Sequence, residues 1–404
     1  MIGKQEVLDR AGEWHLRPEV VEKDYVLGWL LAAAAQHTVV REHWILKGGT
    51  CVKKCFFETY RFSEDLDYSL LPGAGYGAAA VTATLREVAD LTNTLSGIRF
   101  SPDQFSVRER KDKFGRVTFE GRLGYQGPLA VPNWPRILFD ITQHEPVVVA
   151  TASRGVLHPY SDRLPDATAV RTYAFEELLA EKARALFERM RPRDLYDVVY
   201  ILDNLREPLD AVLVRTTFAQ KCRWKQFEPP TAAEIIAQVQ ASEELRADWN
   251  DMLAHQLPYA APIDGVISRL DRALEWLAAE EPAQIVGTSM ALPAPPMATG
   301  RGLGPVPQRI HGGALEQLRF AGANRLLVSF VYSAKPRVVE PYSLRFAETT
   351  GNLNFYGWEV ATQQIKCYTV SKMSGVQILE STFAPRYHVE LGTPGAIAHG
   401  PWRW

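Results

Sequence analysis

Cysteine is scarce in this sequence, with four residues (Cys51, Cys55, Cys222 and Cys367) in a chain of 404. That excludes a disulfide framework and fits a reducing compartment. Cys51-x3-Cys55 lacks the second ligand pair of a structural zinc site, so both are read as packed thiols. Long apolar runs are missing too. The longest, Val26 to Ala35, falls well short of the roughly 20 residues a membrane-spanning helix needs. The N-terminal Met-Ile-Gly-Lys-Gln-Glu has no apolar signal-peptide core, and the expected location is the cytoplasm. Neither charge dominates: 45 Lys and Arg against 47 Asp and Glu give a net charge of -2, so a nucleic-acid surface would have to be a local patch. No internal repeat is present. With 46% hydrophobic and 23% charged residues, the chain is globular, and its length predicts two or three domains.

One stretch has a different composition from its surroundings. Pro282 to Gly300 carries no charge, and prolines 282, 293, 295, 296, 305 and 307 prevent regular structure, which predicts a linker over 282–309. Before it, helical spacing runs from Pro18 to Ala35. There follow a strand at Trp44-Ile45-Leu46, a Gly48-Gly49 break, a helix over Thr50–Glu58 and an alternating strand over 65–70. Strands at 104–110 and 116–125 flank Lys113-Phe114-Gly115 as a hairpin, and 136–141 is a further strand. Helical periodicity covers 175–205 and 232–279. The expected fold class is α+β: a mixed-sheet domain over 1–165 with a helical half over 166–281, then a small strand-rich module over 310–404.

The chemistry concentrates in Leu46-Lys47-Gly48-Gly49-Thr50 and Arg61-Phe62-Ser63-Glu64-Asp65-Leu66-Asp67-Tyr68. Residues two apart on a strand share a face, so Asp65 and Asp67 present two carboxylates side by side, which a divalent cation would neutralise. A Gly-Gly-Thr turn opening a helix offers backbone N–H groups to a phosphate. Asp140 sits among Ile137, Leu138, Phe139 and Ile141. An acid there either ligates a metal as the third carboxylate, the reading favoured here, or faces water at a strand end. Arg171 to Asp197 holds six basic and six acidic residues, which by composition alone is a solvated helix pair.

These segments resemble, in order, the AbiEii/AbiGii family of nucleotidyltransferase toxins, a branch of the polymerase-β-like superfamily. The resemblance rests on Val21-Glu22-Lys23-Asp24-Tyr25-Val26-Leu27, Leu46-Lys47-Gly48-Gly49-Thr50, Arg61 through Asp67, the strand ending at Asp140, and Glu181-Lys182 followed by Arg191-Pro192-Arg193-Asp194-Leu195-Tyr196-Asp197. It covers about residues 15–280. It implies a polymerase-β-like mixed sheet with Mg²⁺ held by Asp65 and Asp67, and by Asp140 as third carboxylate. Lys47, Gly48, Gly49, Thr50 and Ser63 would lie along the nucleotide, Lys182 would neutralise the triphosphate, and Asp197, or less readily Asp194, would complete the site. Thr50 replaces the serine of many superfamily members and keeps the hydroxyl. The implied function is a toxin of a bacterial toxin–antitoxin or phage-defence system. It would transfer a nucleotide from an NTP to RNA, tRNA foremost, or to a protein, and be opposed by a separately encoded antitoxin. A small-molecule nucleotidyltransferase of the antibiotic-modifying kind and a non-catalytic nucleotide-binding regulator are the alternatives.

The C-terminal part looks like a WYL-type domain, an Sm-like β-barrel, on the strength of Arg337–Leu344, Asn354–Trp358 and Phe383–Tyr387, with Phe355-Tyr356-Gly357 in place of the naming tripeptide. Arg337, Tyr356 and Arg386 are the candidate contacts to a nucleic-acid or nucleotide ligand. Equally, the arginines pair with acids and the aromatics fill the core. The hairpin Val107–Arg122 carries six basic residues against three acidic ones, with Phe114 and Phe119 interleaved. It is either an RNA surface or a charged, protected sheet edge.

Overall fold

The computed structural model describes residues 1–71, 76–166, 168–205, 208–278, 312–392 and 397–403, with the backbone of a two-residue strand at 284–285. The expected linker otherwise lies outside the described residues. The chain opens with α1 (Lys4–Trp14) and α2 (Pro18–Gln36), whose proline occupies the first helical turn, where its missing N–H is not needed. After the short α3 (Thr38–His43) come β1 (Trp44–Lys47), α4 (Gly48–Cys55), β2 (Asp65–Leu70), α5 (Ala78–Ser96), β3 (Arg99–Lys111), β4 (Val117–Gln126), β5 (Arg136–Thr142), β6 (Ala152–Gly155) and β7 (Ala169–Thr172). The seven strands form one mixed sheet in the order β3-β4-β5-β2-β1-β7-β6. β2 runs parallel to β5 and antiparallel to β1. Because β7 pairs with β1, the sheet extends past the division expected at 165.

Period-two alternation sets the two faces of this sheet. On β5, Ile137, Phe139 and Ile141 are buried while Arg136, Leu138 and Asp140 are exposed. Phe119, Leu123 and Tyr125 of β4 join the buried side, where Leu85 of α5 packs so closely that a Cβ on Gly121 would lie 2.7 Å from its methyl. α2 is buried almost all round, and its motif residues tie it down. The Glu22 carboxylate accepts from the Leu129 N–H at 2.6 Å. Asp24 pairs with Lys54 at 2.5 Å, and the Tyr25 hydroxyl donates to Asp162 at 2.6 Å.

The helical half differs from its expected outline. Helix over 175–205 is split into α6 (Phe175–Arg189) and α7 (Pro192–Asp203), because Met190 takes a left-handed φ of 48° and Pro192 cannot donate into a continuous helix. After α8 (Ala211–Trp224), the span 232–279 is α9 (Ala232–Ala241) followed by five short helices up to Ala278. No helix among the described residues is long and apolar enough to cross a membrane. All four cysteines are free thiols, with Cys51 and Cys222 buried.

The C-terminal module consists of α10 (Gly312–Ala323) and an antiparallel sheet of β8 (Leu326–Tyr332), β9 (Lys335–Phe346), β10 (Leu353–Glu359), β11 (Gln364–Thr369) and β12 (Met373–Thr382), with Ala398–His399 added alongside β9. The strand order is β11-β10-β9-β8-β12. Among the described residues no pairing closes this path into the Sm-like β-barrel expected. The module docks on α7. The Tyr196 hydroxyl donates to Asn324 Oδ1 at 2.9 Å, Asn204 Nδ2 donates to the Ala323 carbonyl at 3.0 Å, and Arg325 donates to the Asp203 carbonyl.

Candidate active site

β1 ends at Lys47, and Gly48 turns the chain with φ 73°, a conformation that suits glycine. A Cβ there would lie 1.9 Å from Asp67 Oδ2, so this turn admits no side chain while Asp67 faces it. α4 then starts, its first N–H groups lacking intrahelical acceptors and pointing out of the helix end. A Cβ on Gly49 would stand 2.8 Å from Ser63 Oγ, which places Ser63 beside the same turn. The Thr50 hydroxyl is committed to the Asp65 carbonyl at 2.5 Å, fixing the start of β2, so only its backbone is left for a phosphate.

Strand register assembles a charged row across the sheet. Lys47 on β1 stands opposite Asp67 on β2, Asp67 opposite Asp140 on β5, and Asp140 opposite Glu120 on β4. Asp65 lies two residues before Asp67 on the same face. All three aspartates have raised pKa values: burial is the first cause for Asp65 and Asp67, and for Asp140, whose side chain reaches solvent, it is the partial desolvation imposed by the elements around it. Asp67 is pushed up to about 7, with Asp140 the next cause. Asp140 faces out from its strand. The alternation of β5, and not a need to neutralise a buried acid, accounts for its place among apolar neighbours.

The three carboxylates share a face without forming a ready cage: among the described residues no three His, Cys, Asp or Glu side chains are grouped to hold a metal ion. Mutually repelling oxygen donors still fit Mg²⁺, which is usually bound by one or two carboxylates plus substrate phosphates.

Lys182 of α6 sits behind this row, its Nζ 2.7 Å from Asp197 Oδ2. Asp197 is fully buried. Arg61 grips it in two-pronged fashion, Nε to Oδ1 at 2.7 Å and Nη2 to Oδ2 at 2.8 Å. Asp197 therefore positions Lys182 and Arg61, and both its oxygens are occupied. Asp194 is held by Arg189, at 2.8 Å at the α6–α7 junction, and reaches the site only through its charge on Arg61.

Lys47, expected along the nucleotide, stands in the row and is also tied into a buried ion cluster beside it. It pairs with Glu145, which lies 3.4 Å from Lys221, and Lys221 lies 2.9 Å from Glu177. Glu177 also accepts from the backbone N–H groups of Val148 and Val149. Glu145, Glu177 and Lys221 were not singled out from sequence. The one available signal was another acid, Glu145, five residues past Asp140. At the rim, Glu64 binds Lys23 at 2.7 Å, which accounts for the lysine of the α2 motif.

Burial alone would raise Asp197 and Glu145. Arg61 and Lys182 for the first, Lys47 and Lys221 for the second, outweigh it and hold both well below the usual range. Their stabilisation is complete above the ordinary carboxylate pKa values and is lost as pH falls towards the depressed native ones. Calorimetric melting temperatures are accordingly expected to drop steeply below about pH 4. A melting temperature unchanged down to pH 3 would contradict this.

Away from the site, Arg337 pairs with Glu359, and Arg386 lies 3.5 Å from Glu340 and over the Trp358 ring. Phe330, Tyr342 and Phe355 fill the core between. These contacts match the structural alternative for the C-terminal residues. Tyr356 is half-buried, 6.3 Å from the Trp402 ring. On the hairpin, Phe119 is core and Phe114 is 41% exposed.

The family described as nucleotidyl transferase AbiEii toxin, type IV toxin–antitoxin system, matches residues 29–279. No curated protein matches the chain. Among solved structures, MenT4, a nucleotidyltransferase toxin from Mycobacterium tuberculosis H37Rv, is similar at 19% identity over 70% of this chain and 91% of that one, with a TM-score of 0.45. Proteasome accessory factor B/C of Arthrobacter aurescens aligns at 11% identity over 92% and 74%, with a TM-score of 0.17.

Proposed function

Because the chain belongs to the AbiEii family of nucleotidyltransferase toxins of type IV toxin–antitoxin systems, we propose that it transfers a nucleotide from an NTP to an RNA acceptor, tRNA foremost, with Mg²⁺. The observation that carries this is the pairing of Asp67 with Asp140 across β2 and β5 beside the bare N-terminus of α4. Asp65 and Asp67, with Asp140, would hold Mg²⁺, which when bound offsets triphosphate charge and acidifies the attacking hydroxyl.

The remaining steps fall to the chain's own groups. Backbone N–H groups of Gly48, Gly49 and Thr50 receive phosphate oxygens, and the Lys182 ammonium adds a point charge. Asp197 and Arg61 keep that ammonium in place. An acceptor hydroxyl attacks the α-phosphorus, the bond to the β-phosphate oxygen breaks, pyrophosphate departs, and Asp140, open to solvent, takes the hydroxyl proton. Membership of a toxin–antitoxin family also implies an NTP substrate and an antitoxin encoded elsewhere.

The purified chain, incubated with labelled NTPs, Mg²⁺ and total tRNA, is expected to label RNA, with Lys182→Ala lowering the rate by roughly a hundredfold or more. Transfer at the parental rate in that variant would remove Lys182 from the site.

A further inference from the structure

The open face of the sheet continues past Asp140 onto β4 and β3, and its charge changes sign there. In register, Arg108 on β3 stands opposite Glu120, the next neighbour of Asp140. Two residues along, Arg122 stands opposite Leu138, the partner of Asp65, and Arg136 opens β5 on the same face. The alternating residues Phe119, Leu123, Ile137 and Phe139 are buried on the other side, so these three arginines point out with the catalytic aspartates. Among the described residues none of the three has a side-chain hydrogen bond or ion pair. Arg110, by contrast, is engaged with Glu120 at 2.7 Å. Leu138, 41% exposed, lies among them.

We infer that the β3–β5 face is the docking surface for the RNA acceptor, with Arg108, Arg122 and Arg136 holding its phosphates and Leu138 lying under a base or ribose. This rests on the RNA-acceptor reading above. Three carboxylates on their own would repel a polyanion, and unpaired guanidiniums on β5, β4 and β3 offset that repulsion where an incoming strand must lie. Neighbouring strands are about 4.8 Å apart and rise about 3.3 Å per residue, so Arg108 and Arg136, two strands and four residues apart in register, are separated by roughly 16 Å at the backbone, with Arg122 between them. A nucleic-acid strand carrying one charge per about 3.4 Å presents about four or five phosphates over that distance. Guanidiniums also stack on unpaired bases, which an ammonium does not do. The surface would accept a single-stranded end and not a duplex face, because base and backbone must both reach the sheet.

The test compares the full chain with an Arg108→Gln/Arg122→Gln/Arg136→Gln variant and with Lys335→Gln, a remote charge control. Binding of a fluorescent single-stranded RNA oligonucleotide is measured by anisotropy from 50 to 300 mM salt, and NTP binding by calorimetry. The expected result is at least about a tenfold loss of RNA affinity in the triple variant, and a log–log salt slope shallower by about two, since each phosphate contact on a single strand contributes about 0.7. NTP binding should be unchanged, and the control should match the parent. Should the triple variant fold poorly, Arg136→Gln alone is expected to lower the slope by about 0.7. RNA labelled by the parent, with affinity and slope unaltered in the variants, would overturn the surface and leave the RNA reading standing. A parent that labels a protein or small molecule and no RNA would overturn the reading itself.

Discussion

Replacing Asp67 with asparagine is expected to abolish nucleotide transfer while leaving a chain at least as stable as the parent. The two effects have one origin. Asp67 stands between Lys47 and Asp140 in the strand register, against the Gly48 turn, so its carboxylate lies where a cation and the triphosphate would meet. Removing groups that merely orient metal ligands costs about 10- to 100-fold; loss of a direct ligand should exceed a hundredfold. The stability half follows from the raised pKa, about 7. A carboxyl that holds its proton more tightly when folded destabilises the native state once ionised. The penalty is absent below the ordinary aspartate pKa and accumulates as pH rises from about 4 to 7. Asp67→Asn should therefore melt above the parent at pH 8 and level with it at pH 4. Residual activity within tenfold of the parent, or a lower melting temperature at pH 8, would overturn this account.

Asp197→Asn should behave in the opposite way, losing stability first and activity with it. Asp197 is wholly buried and answers two cations, Arg61 and Lys182, both nearly buried themselves. Neutralising it leaves both buried cations without a carboxylate, Arg61 keeping only the neutral acceptors Gln256 and the Phe62 carbonyl, a situation that costs about 3–5 kcal/mol. Denaturant titration should show the unfolding free energy lowered by that amount, through an earlier midpoint at unchanged slope. Adding Lys182→Met to Asp197→Asn removes one stranded cation and is expected to recover part of the loss, a non-additivity that a double-mutant cycle reads directly. A loss below about 1 kcal/mol would mean that Arg61 and Lys182 find water or other partners, and that Asp197 is not what keeps Lys182 in place.

The sequence disclosed the elements that carry periodic or turn signals. β2 spans 65–70 as its alternation predicts, α2 spans Pro18–Gln36, and Gly48 is the positive-φ turn that a Gly-Gly break announces. Asp65 and Asp67 could be paired from spacing alone, because a strand's period is two. What escaped depends on long-range contact. Nothing local marks Lys47 as belonging to Glu145 and Lys221, 98 and 174 residues away in the chain. The burial of Asp197 follows from α7 packing in the interior, whereas Arg-Asp-Leu-Tyr-Asp in isolation reads as a solvated helix start. α5 was missed although its core residues Val81, Leu85, Val88 and Thr92 recur at helical spacing. The 232–279 span shows the opposite error, since a pattern compatible with helix did not reveal where Pro258 and Pro262 and the short segments between them break it.

α7 has a property that bears on how such a chain is inherited. Asp197 on one side of the helix secures Lys182 and Arg61, while Tyr196, Asp203 and Asn204 on the same few turns receive α10 and the segment after it. Gly392 presses so close to Asn204 that a Cβ there would fall 1.9 Å from its Oδ1. The C-terminal module is thus not a cassette that recombination can exchange as a block. A foreign module arriving without Asn324 would leave the Tyr196 hydroxyl without its acceptor, and one without Gly392 would drive a side chain into Asn204, on the helix whose Asp197 holds Lys182. The two parts of the chain are bound to change together.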